Sequence, residues 1–353
     1  MSFSVFFRFI TENYLKSFFI IFIALVVFFV AIDLLLNFSD LPNSANLVFL
    51  YVVFLSFSAV SYILPISLVF AMILCFLSIL RSNELVSLYA LGLSKKLVIL
   101  YPFLWALFFC FIYLALNFTP FAYADEYRSN IKNDAVLALT SSDIFIKYNE
   151  HFVYIQKLNP NDDSISNIRI FTMNENNLSS LTSAKNAYFS DDFWLLKNGE
   201  NIALPKQIEL FNQGLILNKF DESKALKDFK PKVIESATTE KSYSITDAWQ
   251  SFLTFSKQDI NTNSIRTELY RLSIMPFFAP FLMLILYRFI PTISRYFNLA
   301  FLSFIFFIVT LGVWGVFFLL VRLAQNSVLL PEFAIILPVC ILICISLFLY
   351  FKR

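Results

Sequence analysis

Glycine and histidine are scarce in this chain, and their scarcity excludes two kinds of chemistry. Five glycines among 353 residues leave little material for a phosphate-binding loop, and the sequence has no G-x-x-x-x-G-K-[ST] pattern. We therefore expect that this polypeptide does not hydrolyse ATP itself. The single histidine, His151, lacks a second histidine or cysteine at the spacing of metal ligands, which favours a solvated side chain over a metal site.

The few cysteines also argue against catalysis. All four of them, Cys75, Cys110, Cys340 and Cys344, fall within apolar runs, where a buried small hydrophobic side chain is the ordinary explanation. The sequence has no G-x-S-x-G nucleophile motif and no pairing of cysteine with histidine. We predict that the chain has no catalytic residues and binds no metal or cofactor.

Charge is sparse and unevenly distributed. Charged residues make up 15% of the chain and hydrophobic residues 58%, with 45 phenylalanines and a mean hydropathy of +0.70. Soluble domains do not have this composition, so we expect an integral membrane protein. Residues 119–265 hold 19 of the 25 acidic side chains, which makes this middle segment mildly acidic and the rest of the chain basic.

Long apolar runs predict six membrane-spanning helices, three on each side of the middle segment. Residues 1–16 alternate aromatic side chains with Arg8, Glu12 and Lys16, which predicts an amphipathic helix that lies at the inner membrane surface and leads into the first span. The second run exceeds one perpendicular crossing, and Pro65 is its expected kink. The predicted spans are about 17–38, 48–80, 97–118, 272–290, 299–321 and 333–351.

Basic residues orient these spans, because cytoplasmic loops carry an excess of lysine and arginine. Among the short outer loops only Arg322 is basic. Both termini are therefore predicted to be cytoplasmic, and the middle segment to lie on the opposite side of the membrane. The basic residues of the proposed inner segments are Arg8, Lys16, Arg81, Lys95, Lys96, Arg288, Arg295, Lys352 and Arg353.

The middle segment shows the alternation of apolar and polar residues that is typical of β-strands. A hairpin is predicted around residues 149–150, and further turns at Asp191-Asp192 and Asn198-Gly199. Several short strands predict a sandwich or jelly roll. Its interior could bind acyl chains or simply form the core of the domain. The predicted division is a membrane half of residues 1–118, a β domain of 119–265 and a second membrane half of 266–353.

Five basic residues flank the outer ends of the spans and could form a ring that binds an anionic amphiphile, or could each extend toward lipid headgroups. Asp33, near the outer end of the first span, either reaches the interface or faces a protein-lined cavity. Gly312 and Gly315 would permit close helix approach, which ordinary packing explains equally well. The five basic residues are Arg128, Lys132, Arg266, Arg271 and Arg322.

Three stretches carry a resemblance to a known family. RSNELVSLYALGLSKK, at 81–96, joins spans two and three, AKNAYFSDDFWLLKNGE lies at 184–200, and LPEFAIILP enters the last span. Together with three spans on each side of a β domain, they resemble the LptF/LptG permeases of lipopolysaccharide export. The resemblance implies a six-span α-helical membrane protein of the bacterial inner membrane with an inserted periplasmic jelly-roll-like domain. Pro338 favours LptG over LptF.

The resemblance also implies partners and residue roles. The chain would be a non-enzymatic permease subunit of an ABC transporter that extracts lipopolysaccharide from the outer leaflet of the inner membrane. It would pair with a paralogous permease on an LptB-like ATPase dimer that binds ATP and magnesium. It would also work with an LptC-like membrane anchor and an LptA-like periplasmic bridge, and it would bind no nucleic acid. The cytoplasmic insert at 81–96 would be the helix that couples to the ATPase, through Arg81, Glu84, Leu88, Leu91 and Gly92.

In that family the lipid passes between span one of one permease and span five of the other. LptG members have basic residues at the outer end of span one, whereas this chain has Asp33 and Asp40. Charge recognition would then fall to the five outer cations or to the other subunit. Two alternatives remain at this point: an ABC-type permease for another envelope lipid or lipoprotein, and a non-transporting scaffold whose β domain binds a periplasmic protein.

Overall fold

The computed structural model of the protein describes residues 3–134, 141–148, 150–159, 163–174, 177–190, 192–205, 214–227, 229, 243–256, 262–293 and 298–352. The chain divides into two units. The first contains the apolar helices and consists of Met1–Arg128 and Asn263–Arg353, and the second contains the β-sheet and consists of Ser129–Thr262.

Four helices form the N-terminal half of the first unit: α1 (Phe3–Leu36), α2 (Ala45–Arg81), α3 (Glu84–Ala90) and α4 (Lys95–Leu116). Residues 3–16 are helical and lead into the first span, as predicted, because α1 runs through this region without a break. Their placement at the inner membrane surface stays a prediction. No glycine or proline interrupts the segment. Side chains spaced four residues apart also bury one face of its first turns in the core of the unit: Phe6, Ile10, Tyr14 and Phe18.

The second unit is built on one antiparallel sheet, preceded by α5 (Ala124–Asp134), which begins in the first unit, and followed by α6 (Ile245–Ser256). Each strand pairs with the next one in the sequence, so the order is β1-β2-β3-β4-β5-β6. The sandwich or jelly roll stays a prediction. The strands are β1 (Ser141–Tyr148), β2 (His151–Asn159), β3 (Ser164–Asn174), β4 (Asn177–Ser190), β5 (Phe193–Ala203) and β6 (Ile216–Ala225).

The register tests the predicted turns. Pairing of Tyr148 with His151 confirms the first hairpin, and pairing of Ser190 with Phe193 confirms the turn at 191–192. The turn at Asn198-Gly199 is wrong, because β5 continues through both residues. His151, expected to be solvated, is half-buried, with Nδ1 3.1 Å from Thr172 Oγ1.

The chain returns to the first unit through α7 (Asn263–Ser273), α8 (Phe278–Arg288), α9 (Leu299–Gln325) and α10 (Leu337–Phe351). Among the described residues, five helices are long and apolar enough to cross a membrane, and a sixth span results if Asn263–Ser273 and Met275–Arg288 count as one span bent by 41°. The bend lies beside Pro276 in a short 3₁₀ turn. A π-helical turn, Glu332–Ile336, precedes α10.

Contacts along the helices show which ends lie together. Asp33 near the end of α1 bonds Tyr51 near the start of α2, so the two helices are antiparallel. At the other end, Lys96 Nζ at the start of α4 donates to the carbonyl of Phe351 at the end of α10. The end of α2, α3, the start of α4 and the end of α10 therefore share one end of the unit. The acidic end of α1 and the start of α2 lie at the opposite end.

The cysteines divide into two pairs. Cys75 and Cys110 are buried, as predicted. The same prediction is wrong for Cys340 and Cys344, which are exposed on α10. An apolar helix surface of a membrane-spanning unit faces hydrocarbon, so a small hydrophobic side chain needs no protein cover there.

Candidate functional sites at the two ends of the helical unit

Helix α3 is held against the core by its inner face. Leu85 and Leu88 are buried in the same hydrophobic cluster as the surrounding spans. The Tyr89 hydroxyl lies 2.9 Å from the Tyr287 hydroxyl at the end of α8. Burial raises the pKa of Tyr89, so its phenol stays protonated and keeps this hydrogen bond. These contacts join α3 to the spans that surround it.

The end of α3 is closed by a Schellman motif. Gly92 has φ +85°, its N–H donates to the Tyr89 carbonyl at 2.9 Å, and the N–H of Leu93 donates to the Leu88 carbonyl at 3.3 Å. These bonds satisfy carbonyls that a helix end would leave unpaired. Ser94 then caps α4, because its Oγ accepts from the N–H of Leu97 at 3.2 Å. The connection between α2 and α4 is therefore an ordered helix and not an extended loop.

The outer face of α3 is available to a partner. Glu84 and Ser87 are exposed, and Leu91, an apolar residue at the C-terminal end of the helix, is 61% exposed. Arg81, the last residue of α2, is also exposed. Of the residues predicted to couple to an ATPase, four are exposed and Leu88 lies in the core; the exposed ones are Arg81, Glu84, Leu91 and Gly92. The helix itself is shorter than the predicted 81–96.

Asp33 is paired with residues of other helices at the opposite end of the unit. One carboxylate oxygen accepts from the Tyr51 hydroxyl at 2.5 Å, and the other lies 3.3 Å from Nη1 of Arg128 on α5. Arg128 also pairs with Asp125 at 2.9 Å. Burial by itself lowers the pKa of Arg128, but Asp125, Tyr51 and Asp33 outweigh it and raise the pKa, so the guanidinium stays charged.

Two more of the predicted cations also have carboxylate partners. Arg271 and Glu268, both on α7, form a bidentate pair with contacts of 2.5 and 2.8 Å. Arg266 donates to Glu332 at 2.7 Å, and the Tyr270 hydroxyl lies 3.3 Å from the same oxygen. The contacts with Glu332 join α7 to the π-helical turn before α10. Both arginines are therefore neutralised by carboxylates of the first unit.

The remaining cations are arranged differently. Arg322, at the end of α9, is exposed; its guanidinium lies 3.4 Å from Gln325 Oε1 and over the ring of Phe318. Lys132 lies in the part of α5 that belongs to the second unit. Among the described cations near this end of the first unit, Arg322 is exposed and contacts an amide, whereas Arg128, Arg266 and Arg271 pair with carboxylates. The ring of five cations stays a prediction. A Cβ built on Gly312 or Gly315 would meet no atom of the described residues within 4 Å, so neither glycine serves a close helix contact within that part of the chain.

An apolar groove of about 580 Å³ lies between α1, α2 and α4. Phe22, Phe54 and Phe109 contribute one aromatic side chain from each of the three helices, and Tyr127 of α5 lines the groove beside Arg128. The groove opens on the surface of the membrane-spanning unit, where lipid is the solvent.

Sequence reasoning missed the partners that complete these sites. Tyr51, Glu332 and Tyr287 were not singled out, although each bonds a residue of the candidate sites or of α3. Glu332 offered a signal, because a carboxylate at the start of an apolar span needs a partner. The two tyrosines offered none, since tyrosine is common at the ends of spans.

Five or six apolar helices with an antiparallel sheet inserted after the third span define a multi-pass membrane protein with a β domain. Residues 8–352 match the family described as lipopolysaccharide export system permease LptF/LptG, and the chain therefore belongs to that family. Membership makes it a permease of lipopolysaccharide export and not an enzyme; it does not separate LptF from LptG. No curated protein matches the chain.

Proposed function

We propose that this protein is one permease subunit of an ABC transporter, and that α3 receives the force of a separate ATPase dimer. The single observation that carries the proposal is the construction of α3. Its inner face is fixed to the spans through Leu85, Leu88 and Tyr89, whereas Glu84 and Leu91 are exposed. A rigid helix between α2 and α4 can convert closure of an ATPase into movement of these spans.

The cargo in this proposal is lipopolysaccharide, which leaves the outer leaflet of the inner membrane and passes to a periplasmic bridge. The second permease is a paralogue, and Pro338 favours the LptG role for this chain. Since Arg128, Arg266 and Arg271 have carboxylate partners, we assign first contact with a lipid phosphate to Arg322. An exposed guanidinium can bind phosphate bidentately without breaking an internal ion pair.

The test replaces Glu84 by alanine and, separately, Leu91 by serine in the complete transporter. We expect less ATPase retained on the purified permease and slower release of lipopolysaccharide from proteoliposomes. Glu12→Ala is the matched control, because Glu12 is another exposed carboxylate and pairs with Arg8 on the surface of α1. Unchanged ATPase binding in both α3 variants would remove the coupling role.

The same preparation distinguishes this function from its alternatives. A membrane pull-down that recovers no ATPase would favour a non-transporting scaffold. Mass spectrometry of the co-purified lipid would identify another envelope lipid or a lipoprotein as the cargo if lipopolysaccharide is absent.

A further inference from the structure

Helix α6 (Ile245–Ser256), the last helix of the second unit, has one broad apolar face, and one edge of that face is exposed. The buried part of the face contains Ile245, Ala248 and Phe255. An exposed apolar strip adjoins it, because residue 249 lies about 40° from residue 245 around the helix. Trp249 is 52% exposed and Leu253, one helical turn later, is 45% exposed.

The rest of the exposed surface of α6 is polar. Thr246 and Gln250 are exposed beside the Trp249 strip, and Asp247 is the single charged residue of the helix. A helix that only had to cover its own domain would need no exposed edge on its apolar face. Trp249 and Leu253 therefore require a different explanation from the buried side chains.

Chain length keeps α6 near the membrane. Six residues separate Ser256 from Asn263, the first residue of α7, so the two can be at most ~25 Å apart. The bent path from Asn263 to Arg288 is the candidate fourth span. Its 26 residues measure ~39 Å as helix against ~30 Å of hydrocarbon, so Asn263 lies at or just outside the membrane interface.

We propose that α6 lies along the membrane surface and inserts Trp249 and Leu253 among the lipid headgroups. Tryptophan prefers this interface, because its ring is apolar and its N–H is polar. The partner is the bilayer in which the protein itself is embedded. Since α6 has no lysine or arginine, the contact depends on apolar area and not on the charge of the lipid. The inference concerns the placement of a helix and does not depend on the cargo or the ATPase.

Nitroxide labels at positions 253 and 250 test the proposal. The variants are Leu253→Cys and Gln250→Cys, each made in the full chain with Cys340→Ser and Cys344→Ser and reconstituted in vesicles of phosphatidylethanolamine and phosphatidylglycerol. Collisions of each label with oxygen, which dissolves in lipid, are compared with collisions with a water-soluble nickel chelate. We expect a several-fold higher oxygen-to-nickel ratio at 253 than at 250, unchanged by salt.

Two results would overturn the proposal. Equal ratios at the two positions would place both side chains in water, and protection of position 253 from both reagents would show that protein covers it. Quenching of tryptophan fluorescence by brominated lipids gives a second measurement without cysteine variants. The wild-type protein should lose more intensity than Trp249→Phe, and equal losses in the two proteins would also contradict the contact.

Discussion

Asp33 illustrates how one carboxylate is accommodated in an apolar helix. Its side chain is only 17% exposed, and its two oxygens contact Tyr51 and Arg128. An unpaired carboxylate would be costly in this position, whereas a paired one fixes the end of α1 to α2 and α5. Asp125, the second partner of Arg128, is 54% exposed and has more access to water.

We predict that Asp33→Ala destabilises the protein more than Asp125→Ala. Loss of Asp33 removes the acceptor of the Tyr51 O–H and one of the two carboxylates that contact Arg128, at a cost of ~1–3 kcal/mol in the free energy of unfolding. The exposed pair with Asp125 contributes ~0–1 kcal/mol. Thermal unfolding of the two variants in the same detergent measures the difference. An equal or larger loss for Asp125→Ala would contradict the greater contribution that we assign to the less exposed carboxylate.

Gly92 is the residue whose backbone decides how α3 ends. With φ +85° it occupies the left-handed region, and a Cβ there would meet no neighbouring atom. Gly92→Ala should therefore lower the free energy of unfolding through backbone strain alone, by ~1–2 kcal/mol. Gly315→Ala is the control, because Gly315 lies in a helix with similar open space and alanine favours helix. If both variants unfold at the same temperature, strain at position 92 is not the cause.

At the scale of elements, β5 shows why a local turn signal can fail. Asn198-Gly199 is a common turn dipeptide, but β5 is paired on both sides, with Gly199 opposite Ala184 and Phe220. Hydrogen bonds to two neighbouring strands outweigh the local preference. The signal at 191–192 did succeed, because there the chain has to reverse between β4 and β5.

The close approach of Phe220 gives a prediction for this strand. A Cβ on Gly199 would overlap the Phe220 ring and the Ser183 carbonyl. Gly199→Ala should overpack the site and destabilise the second unit by ~1–3 kcal/mol. Adding Phe220→Leu should recover part of the loss, whereas Gly214→Ala, at a position with open space, should have little effect. Melting followed by the fluorescence of buried Trp194 measures this, and a stable Gly199→Ala variant would contradict the packing.

The continuity of α1 is a second result at this scale. Alternating charges and aromatic side chains in residues 1–16 match an interfacial helix as well as a helix with one face on a protein core. Periodicity cannot separate the two, because both need a single apolar stripe. The structure shows that Phe6, Ile10 and Tyr14 of this stripe pack in the core of the first unit.

For the whole molecule, orientation in the membrane is the central prediction. We expect Glu84 on the cytoplasmic side and Lys185 of the sheet on the periplasmic side, because the basic residues gather at the end of the unit that contains α3. Glu84→Cys and Lys185→Cys, made in a Cys340→Ser, Cys344→Ser background, can be labelled with an impermeant maleimide in right-side-out membrane vesicles. Position 185 should react with the maleimide in intact vesicles, whereas position 84 should react only after the membrane is permeabilised with detergent. Reaction of both from the same side would contradict coupling through α3.

The sequence by itself determined the class of this protein: apolar spans on both sides of a β domain, a short charged insert, and membership in a permease family. These features are local, because partition into a membrane depends on the composition of each segment and strand formation on alternation within a few residues. The tertiary structure decided which charges are neutralised and which side chains remain for partners. Asp33 and Arg128, Arg266 and Glu332, and Tyr89 and Tyr287 lie far apart in the chain. No local pattern encodes such pairs, because they form only when the packing of the helices brings the side chains within a few ångströms of each other.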